Sequence, residues 1–179
     1  MTVELMTPTG LGASKASVEK FAEDIAKHVG FMPGDSIEEL VERVGGKLEV
    51  GSSGGGDAES GSIVASAVDD FVIYVSRHTS LKRDRFTIAH ELGHLLLHLD
   101  PIKKTNSHAV MRATRWVDEN DQQQKRAEWE ANWFAAGFLM PSEHFVKDYE
   151  ALGLAGVTAK YGVSTTAAQI RAKSLGLAP

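Results

Sequence analysis

The sequence predicts an α+β fold in which helices pack on a small sheet and a pair of helices lies at the C-terminus. Several segments repeat apolar residues at helical spacing, whereas three short runs alternate like strands. A chain of 179 residues is also long enough to bury a core without disulfides or a structural metal. One main domain with small appendages is therefore expected.

Composition narrows the classes of function. The chain has 19 Lys and Arg against 24 Asp and Glu, a net charge of -5, which argues against a protein that mainly coats nucleic acid or an anionic membrane. It has no cysteine, which excludes disulfides, thiolate zinc sites and cysteine nucleophiles. Any metal must therefore be held by His, Asp or Glu.

No targeting or membrane segment is recognisable. Residues 1–15 lack a basic start followed by an apolar run, and Pro8 and Gly10 interrupt them. The longest apolar run, Trp133 to Met140, is far shorter than the ~18 residues of a membrane span. We therefore expect a cytoplasmic protein without a membrane partner.

The N-terminal third predicts two helices and a strand. An amphipathic helix follows Ser14 or Ser17, either of which could cap it, and a shorter helix begins at Asp35 or Ser36. The run from Lys47 to Val50 then alternates like a strand. Residues 1–35 are expected to form an N-terminal helical segment ahead of a core at 36–150.

A glycine-rich segment precedes a predicted hairpin. Five glycines between Gly51 and Gly61 predict a mobile loop rather than a phosphate cradle, because no Lys-Ser/Thr ending follows them. The runs Ile63 to Ala67 and Phe71 to Ser76 then read as two paired strands. If the second strand forms the sheet edge beside the cleft, it could pair with a substrate.

The next segment carries the chemistry. Ser80 can cap a helix from about Leu81 to Leu99, which contains the H-E-x-x-H pattern between His90 and His94. Residues four apart lie one above the other on a helix, so both imidazoles can reach one metal ion from the same face. The alternative is that these histidines are ordinary residues of a polar face.

His98 continues the same polar stripe one turn further. A fourth protein ligand would close the metal site to water, so a supporting role behind the ligands or a surface position is favoured for His98. Two histidines still need a third ligand, and in such sites it is most often a carboxylate.

A second helix, predicted from Gln123 to Met140, offers that carboxylate. On a helical wheel Glu128 lies nearer the small, apolar face than Glu130, which falls about 100° from its centre. Glu128 is therefore favoured as the third ligand, with Glu130 as the alternative. Asn132 could hydrogen-bond Glu128 or a histidine ligand.

The connection between the two helices, Asp100 to Gln122, is polar and long. Such connections are often lids or binding segments, and a plain surface insertion is the alternative. His108 within it could cap the metal in a latent state, a role that we do not favour.

The C-terminal segment, 151–179, predicts a small helical pair around Gly162-Val163-Ser164, similar to the turn of a helix-turn-helix. Gln169 and Arg171 are few polar side chains for reading a DNA groove. A packed or partner-facing helical cap is therefore favoured, and direct nucleic-acid binding is not expected.

Two motifs in this order resemble the ImmA/IrrE family of zinc metallopeptidases: Arg85 to His94, and Glu128 to Pro141. The resemblance covers about Ser36 to Leu177 and implies a compact zincin-like domain. It implies that His90, His94 and Glu128 hold one zinc ion and that Glu91 is the general base. It also implies cleavage of a helix-turn-helix repressor encoded nearby. At Gly137-Phe138 the family more often has a larger polar residue and a leucine, which concerns packing.

The resulting interpretation is a zinc metalloendopeptidase of the gluzincin type that acts on a protein in stress response, in a mobile element or in a prophage. The candidates for stabilising the oxyanion are His98, His108, Arg83 and Tyr74. One rival is a zinc-containing binding module that sequesters a transcription factor without cleaving it. The other is a DNA-binding regulator that uses its C-terminal helices.

Overall fold

The computed structural model describes residues 2–51, 62–76, 79–114 and 116–177. These ranges contain five strands and six helices. They are β1 (Leu5–Met6), α1 (Lys15–His28), α2 (Ile37–Arg43), β2 (Gly46–Val50), β3 (Ser62–Ala67), β4 (Asp70–Val75), α3 (Leu81–Thr105), β5 (Val110–Thr114), α4 (Gln122–Leu139), α5 (Ser142–Tyr161) and α6 (Thr165–Ser174). The predicted α+β class is confirmed.

The sheet is mixed, with strand order β1-β5-β3-β4-β2. Its three central strands pair antiparallel, and the two edge strands, β1 and β2, pair parallel with their neighbours. The predicted hairpin is confirmed as β3 and β4. The predicted glycine-rich loop falls on residues 52–61, which lie outside the described ranges.

The condition under which Phe71 to Ser76 could pair with a substrate, a position at the sheet edge, is not met. This segment is β4, which is covered on one side by β3 and on the other by β2. Its backbone groups already belong to two ladders, so it cannot accept a substrate strand. Alternation along the sequence identifies a strand, but it does not reveal that strand's neighbours.

Helix α3 packs against β3, β4 and β5 on one side and against α4 on another. Fourteen of its residues are buried, including both histidines of the H-E-x-x-H pattern. The helix begins after the predicted cap, Ser80, whose side chain accepts from Arg83 N. It ends at Thr105 rather than near Leu99, and it continues through Pro101.

The polar connection contains a strand that the sequence analysis missed. Strand β5 lies between β1 and β3, with Met111 and Ala113 buried and the intervening Arg112 half-exposed. The alternation Val-Met-Arg-Ala-Thr is the signal that could have revealed it. Residues 110–114 of this connection are therefore an internal strand of the sheet.

Helix α1 packs against α4, and two aromatic rings of α4, Phe134 and Phe138, are buried in the core. Phe138 stacks on Phe31 with 4.7 Å between ring centroids and on Phe134 with 5.6 Å. Ser14 is the residue that caps α1, and Ser36 caps α2.

The C-terminal helices pack back on the rest of the chain. Helix α5 is interrupted at Gly153, which has a positive φ of 67°, and α6 begins after the predicted cap, Ser164. Arg171 of α6 is buried: its Nη1 lies 3.0 Å from Glu19 Oε2, its Nη2 lies 3.2 Å from Glu23 Oε1, and its Nε donates to Met140 O. Arg171 therefore forms ion pairs with α1 and does not face solvent.

Among the described residues, no helix combines the length and the apolar character needed to cross a bilayer.

Candidate metal centre

The close approach of α3 and α4 positions the candidate site. Gly93 lies at the contact between these helices. A Cβ atom at this position would be 3.0 Å from Phe134 Cβ and 3.1 Å from Ala131 Cα. The missing side chain lets the backbones come together, and the faces that carry the histidines and Glu128 therefore meet.

Three ligand atoms converge where the helices meet. His94 Nε2 lies 3.1 Å from His90 Nε2 and 3.0 Å from Glu128 Oε1, while His90 Nε2 lies 3.2 Å from Glu128 Oε2. Ligands about 2.0–2.1 Å from a tetrahedral zinc ion lie roughly 3.3 Å apart, so this triangle needs little adjustment to hold one. Within the described ranges, these three residues form the group that could hold a metal ion.

The outer nitrogen of His90 determines its tautomer. His90 Nδ1 lies 2.9 Å from Asn132 Oδ1, and an amide oxygen only accepts hydrogen bonds. The proton of a neutral His90 is therefore on Nδ1, which leaves a lone pair on Nε2 facing Glu128. Asn132 thus has the supporting role that the sequence analysis suggested for it.

His94 is oriented by a second buried pair. Its Nδ1 lies 3.1 Å from His98 Nδ1, and His98 Nε2 lies 2.9 Å from Glu130 Oε2. Because a carboxylate accepts, His98 Nε2 carries the proton, and the Nδ1 of a neutral His98 accepts. His94 must then donate from Nδ1, so its Nε2 also presents a lone pair toward Glu128.

Two imidazole lone pairs and one carboxylate therefore face one another at about 3 Å. Groups at such distances need a cation among them, which is a proton shared by His90 and Glu128 in the metal-free protein and can be a metal ion in its place. Neutral imidazole nitrogen and carboxylate oxygen are the donors that zinc takes in sites with an open position. The residues fit a divalent metal ion, and the donor set suits zinc.

The pKa values of the site reflect its burial and its partners. Burial and the charge of His90 lower the pKa of His94 to about 4, although hydrogen bonding to Glu128 opposes them. Burial also disfavours protonated His90, but its contacts with Glu128 and the charge of Glu91 outweigh this and raise its pKa. The two histidines lower the pKa of Glu128 to about 2, against the effect of burial. Glu128 is thus held as a carboxylate.

Glu91 lies one residue after His90 and is also buried, with 2% of its surface exposed. Its negative charge favours the protonated form of the neighbouring His90 and so raises the pKa of that residue. A carboxylate in these surroundings can accept a proton from a reacting water molecule.

Glu130 is the residue that sequence reasoning misplaced. The helical wheel put it well off the inward face, yet the structure buries it completely. Its carboxylate accepts from Leu11 N and Gly12 N, both at 2.9 Å, in addition to its contact with His98. These partners precede it by more than a hundred residues. The N-terminal segment covers this side of α4, and the helix period could not reveal that.

The remaining candidates lie in different surroundings. Both ring nitrogens of His98 have partners, so it is not available to an oxyanion. His108 is exposed in the turn before β5 and does not belong to the described ligand group. Tyr74 is half-buried on β4, and Arg83 is exposed at the start of α3.

Comparison with known proteins adds a family and a fold. The family model described as the IrrE N-terminal-like domain, a peptidase family, matches residues 66–173, which include both motifs. A solved structure described as a Mycobacterium tuberculosis transcriptional regulator has the same fold, with a TM-score of 0.57 and 19% identity. That match covers 85% of this chain but only 45% of the regulator, so the chain spans less than half of its length. No curated protein matches the sequence.

Proposed function

Because this chain belongs to the peptidase family of the IrrE N-terminal-like domain, we propose that it is a zinc-dependent metalloendopeptidase that cleaves a protein. The observation that carries the proposal is the convergence of lone pairs from His90, His94 and Glu128. Zinc is the expected ion, one per chain, because it accepts this donor set with one position left for water.

The residues divide the mechanism among them. When bound, zinc would polarise the scissile carbonyl and lower the pKa of a water molecule to about 7. Glu91 would take the proton of the attacking water and pass it to the leaving amine. Asn132, His98 and Glu130 would keep the two imidazoles in the tautomers that bind metal.

We propose a helix-turn-helix repressor encoded nearby as the substrate. The structural neighbour from Mycobacterium tuberculosis is itself described as a transcriptional regulator, which fits a role in transcriptional control. We also propose that residues 36–150 are the peptidase core, with 1–35 as an N-terminal segment and 151–179 as a helical cap. The inward ion pairs of Arg171 favour a cap over a DNA-reading pair.

Metal content is the first test. The protein as purified should carry about one zinc ion per chain, which a chelator removes. Elemental analysis that finds no transition metal, even after reconstitution, would rule out the site.

The Glu91→Gln substitution tests cleavage. It preserves side-chain volume and touches no ligand, so zinc content and folding should match the wild type. Cleavage of a co-expressed repressor should fall by roughly 10²- to 10⁴-fold or more, because the proton acceptor is gone. If Glu91→Gln relieves repression in cells as well as the wild type does, cleavage is not the mechanism. The protein would then act by sequestering its partner.

A further inference from the structure

A groove of about 690 Å³ lies beside the candidate metal centre. Helices α1, α3, α4 and α6 form its walls. Its apolar lining comes from Phe86, Trp133, Ala136, Met140, Ala167 and Ile170. Sites that bind drug-sized molecules measure about 300–1,000 Å³, so this groove is large enough for a few residues of a polypeptide.

The groove passes next to the candidate metal centre, and two of its lining residues adjoin the ligands although no ligand lines it. Asn132, whose side chain bonds His90, is part of its wall, and so is Thr87, which lies one helical turn before His90 and Glu91. A polypeptide whose scissile bond lies at the metal ligands must leave the centre on one side or the other. This groove offers an apolar path on the Asn132 side.

The rim of the groove is basic in a chain that is acidic as a whole. Lys15, Lys82 and Arg83 are exposed along it. The one acidic residue of the lining, Glu19, lies 3.0 Å from Arg171, which also pairs with Glu23, so four basic lining residues face two carboxylates. Unlike the net charge of -5, the local charge is therefore positive.

We propose that this groove binds the part of the protein substrate next to the scissile bond and selects an apolar side chain flanked by acidic residues. This inference rests on the proposed peptidase function. The apolar lining favours a large side chain such as Leu or Phe, since burying it removes apolar surface from water. The basic rim attracts carboxylates on either side of it and disfavours lysine and arginine.

The test uses zinc-loaded Glu91→Gln protein, so that binding is measured without cleavage. Three fluorescein-labelled dodecapeptide pools serve as probes. The first has Leu or Phe at the centre and Asp or Glu at the flanks, the second has Lys or Arg at the flanks, and the third has Ala at the centre. Fluorescence anisotropy at low ionic strength should show the first pool binding about tenfold more tightly than either of the others.

Two substitutions in the groove should change this preference. Lys15→Glu with Lys82→Glu reverses two rim charges in the first turns of α1 and α3, where acidic residues suit the helix dipole and folding is preserved. It should weaken binding of the acidic pool about tenfold. Ile170→Ser, at a position that is 63% exposed, should weaken the same pool severalfold by removing apolar lining.

A control reverses two exposed lysines outside the groove, Lys47→Glu with Lys147→Glu, neither of which lies in the last turn of a helix, and should leave the preference intact. Equal affinities for the acidic and basic pools would overturn the inference, as would an equal effect of the control pair. If the acidic pool binds selectively but the zinc-loaded wild type cleaves no repressor, the groove stands and the peptidase function fails. If the repressor is cleaved but the groove substitutions change nothing, the function stands and the groove assignment fails.

Discussion

At the scale of single residues, Glu128 and Glu130 are two positions apart on α4 but have different surroundings. The Glu128 side chain is 23% exposed and faces two imidazole nitrogens. The Glu130 side chain is fully buried, and its carboxylate accepts hydrogen bonds from His98, Arg126 and two backbone amides. One carboxylate is therefore available to a metal ion, and the other holds protein groups together.

Glu128→Ala should weaken zinc binding on the order of 100-fold or more, because it removes a proposed ligand. The free energy of unfolding of the metal-free protein should fall less than in Glu130→Ala, since no backbone group donates to this carboxylate in the described structure. Zinc affinity is measured by competition with a chromophoric chelator, and stability by urea denaturation in excess chelator. Unchanged zinc affinity would exclude Glu128 as a ligand.

Glu130→Ala should mainly reduce the stability of the metal-free protein. It leaves the Leu11 and Gly12 amides, His98 and Arg126 without their common acceptor, and each buried donor left without a partner costs about 1–3 kcal/mol. Urea denaturation of the metal-free variant measures this loss. A variant as stable as the wild type would show that the carboxylate does not hold the N-terminal segment in place.

At the scale of secondary structure, the contact between α3 and α4 depends on a glycine inside the H-E-x-x-H pattern. Gly93 faces the backbone of Ala131 and the Cβ of Phe134, and a methyl group there would lie 3.0–3.2 Å from them, so these atoms would have to move by a few tenths of an ångström. Because α3 carries two of the proposed ligands and α4 the third, the spacing of these helices sets the size of the ligand triangle.

Gly93→Ala should therefore reduce zinc affinity although it alters no ligand. Overpacking costs about 1–3 kcal/mol, and the gain in helix propensity, up to about 1 kcal/mol, offsets only part of this cost. Chelator competition should show weaker binding than in the wild type, while Asp100→Ala on the exposed face of α3 should bind normally. If Gly93→Ala and Asp100→Ala bind zinc equally well, the two helices can move apart without disturbing the site.

At the scale of the whole molecule, the buried histidines link stability to pH. Burial lowers the pKa of His94 to about 4 and also lowers the pKa of His98, whereas unfolded imidazoles titrate near about 6.5. Below that pH the unfolded chain binds protons that the folded, metal-free chain does not. Acidification therefore favours unfolding.

His90 does not cancel this effect. Its pKa is raised in the folded state, so the stability that it contributes is present below about pH 6.5 and is lost only as pH rises through the folded pKa. Between about pH 6.5 and pH 5, the neutral His94 and His98 thus determine the slope, and below that range the lowered pKa values of Glu128 and Glu130 add to the loss.

The metal-free protein should lose on the order of 2 kcal/mol of stability between about pH 7 and pH 5 from His94 alone. Urea denaturation in chelator at both values measures this loss, and His94→Gln should have a shallower dependence. A stability that is flat across this range would show that the buried histidines are protonated at little cost.

The local features of this protein could be predicted from its sequence. Serine caps located the starts of α1, α2, α3 and α6, and the four-residue spacing of His90 and His94 placed both imidazoles on one face. Such features depend on the rise and period of a single helix, which neighbouring residues set. Glu128 was also favoured over Glu130 by the same period, and the structure brings it to the two histidines.

Which distant segments pack together is seen in the three-dimensional structure and could not be predicted from the sequence. The structure placed β5 inside the sheet, buried β4 between two strands, and brought residues 11 and 12 onto Glu130. It also gives a reason for Gly137, the departure from the family pattern, because a Cβ there would lie 2.8 Å from Glu19 O on α1. These outcomes depend on which surfaces pack together across the chain, and no periodicity within one segment records its partner.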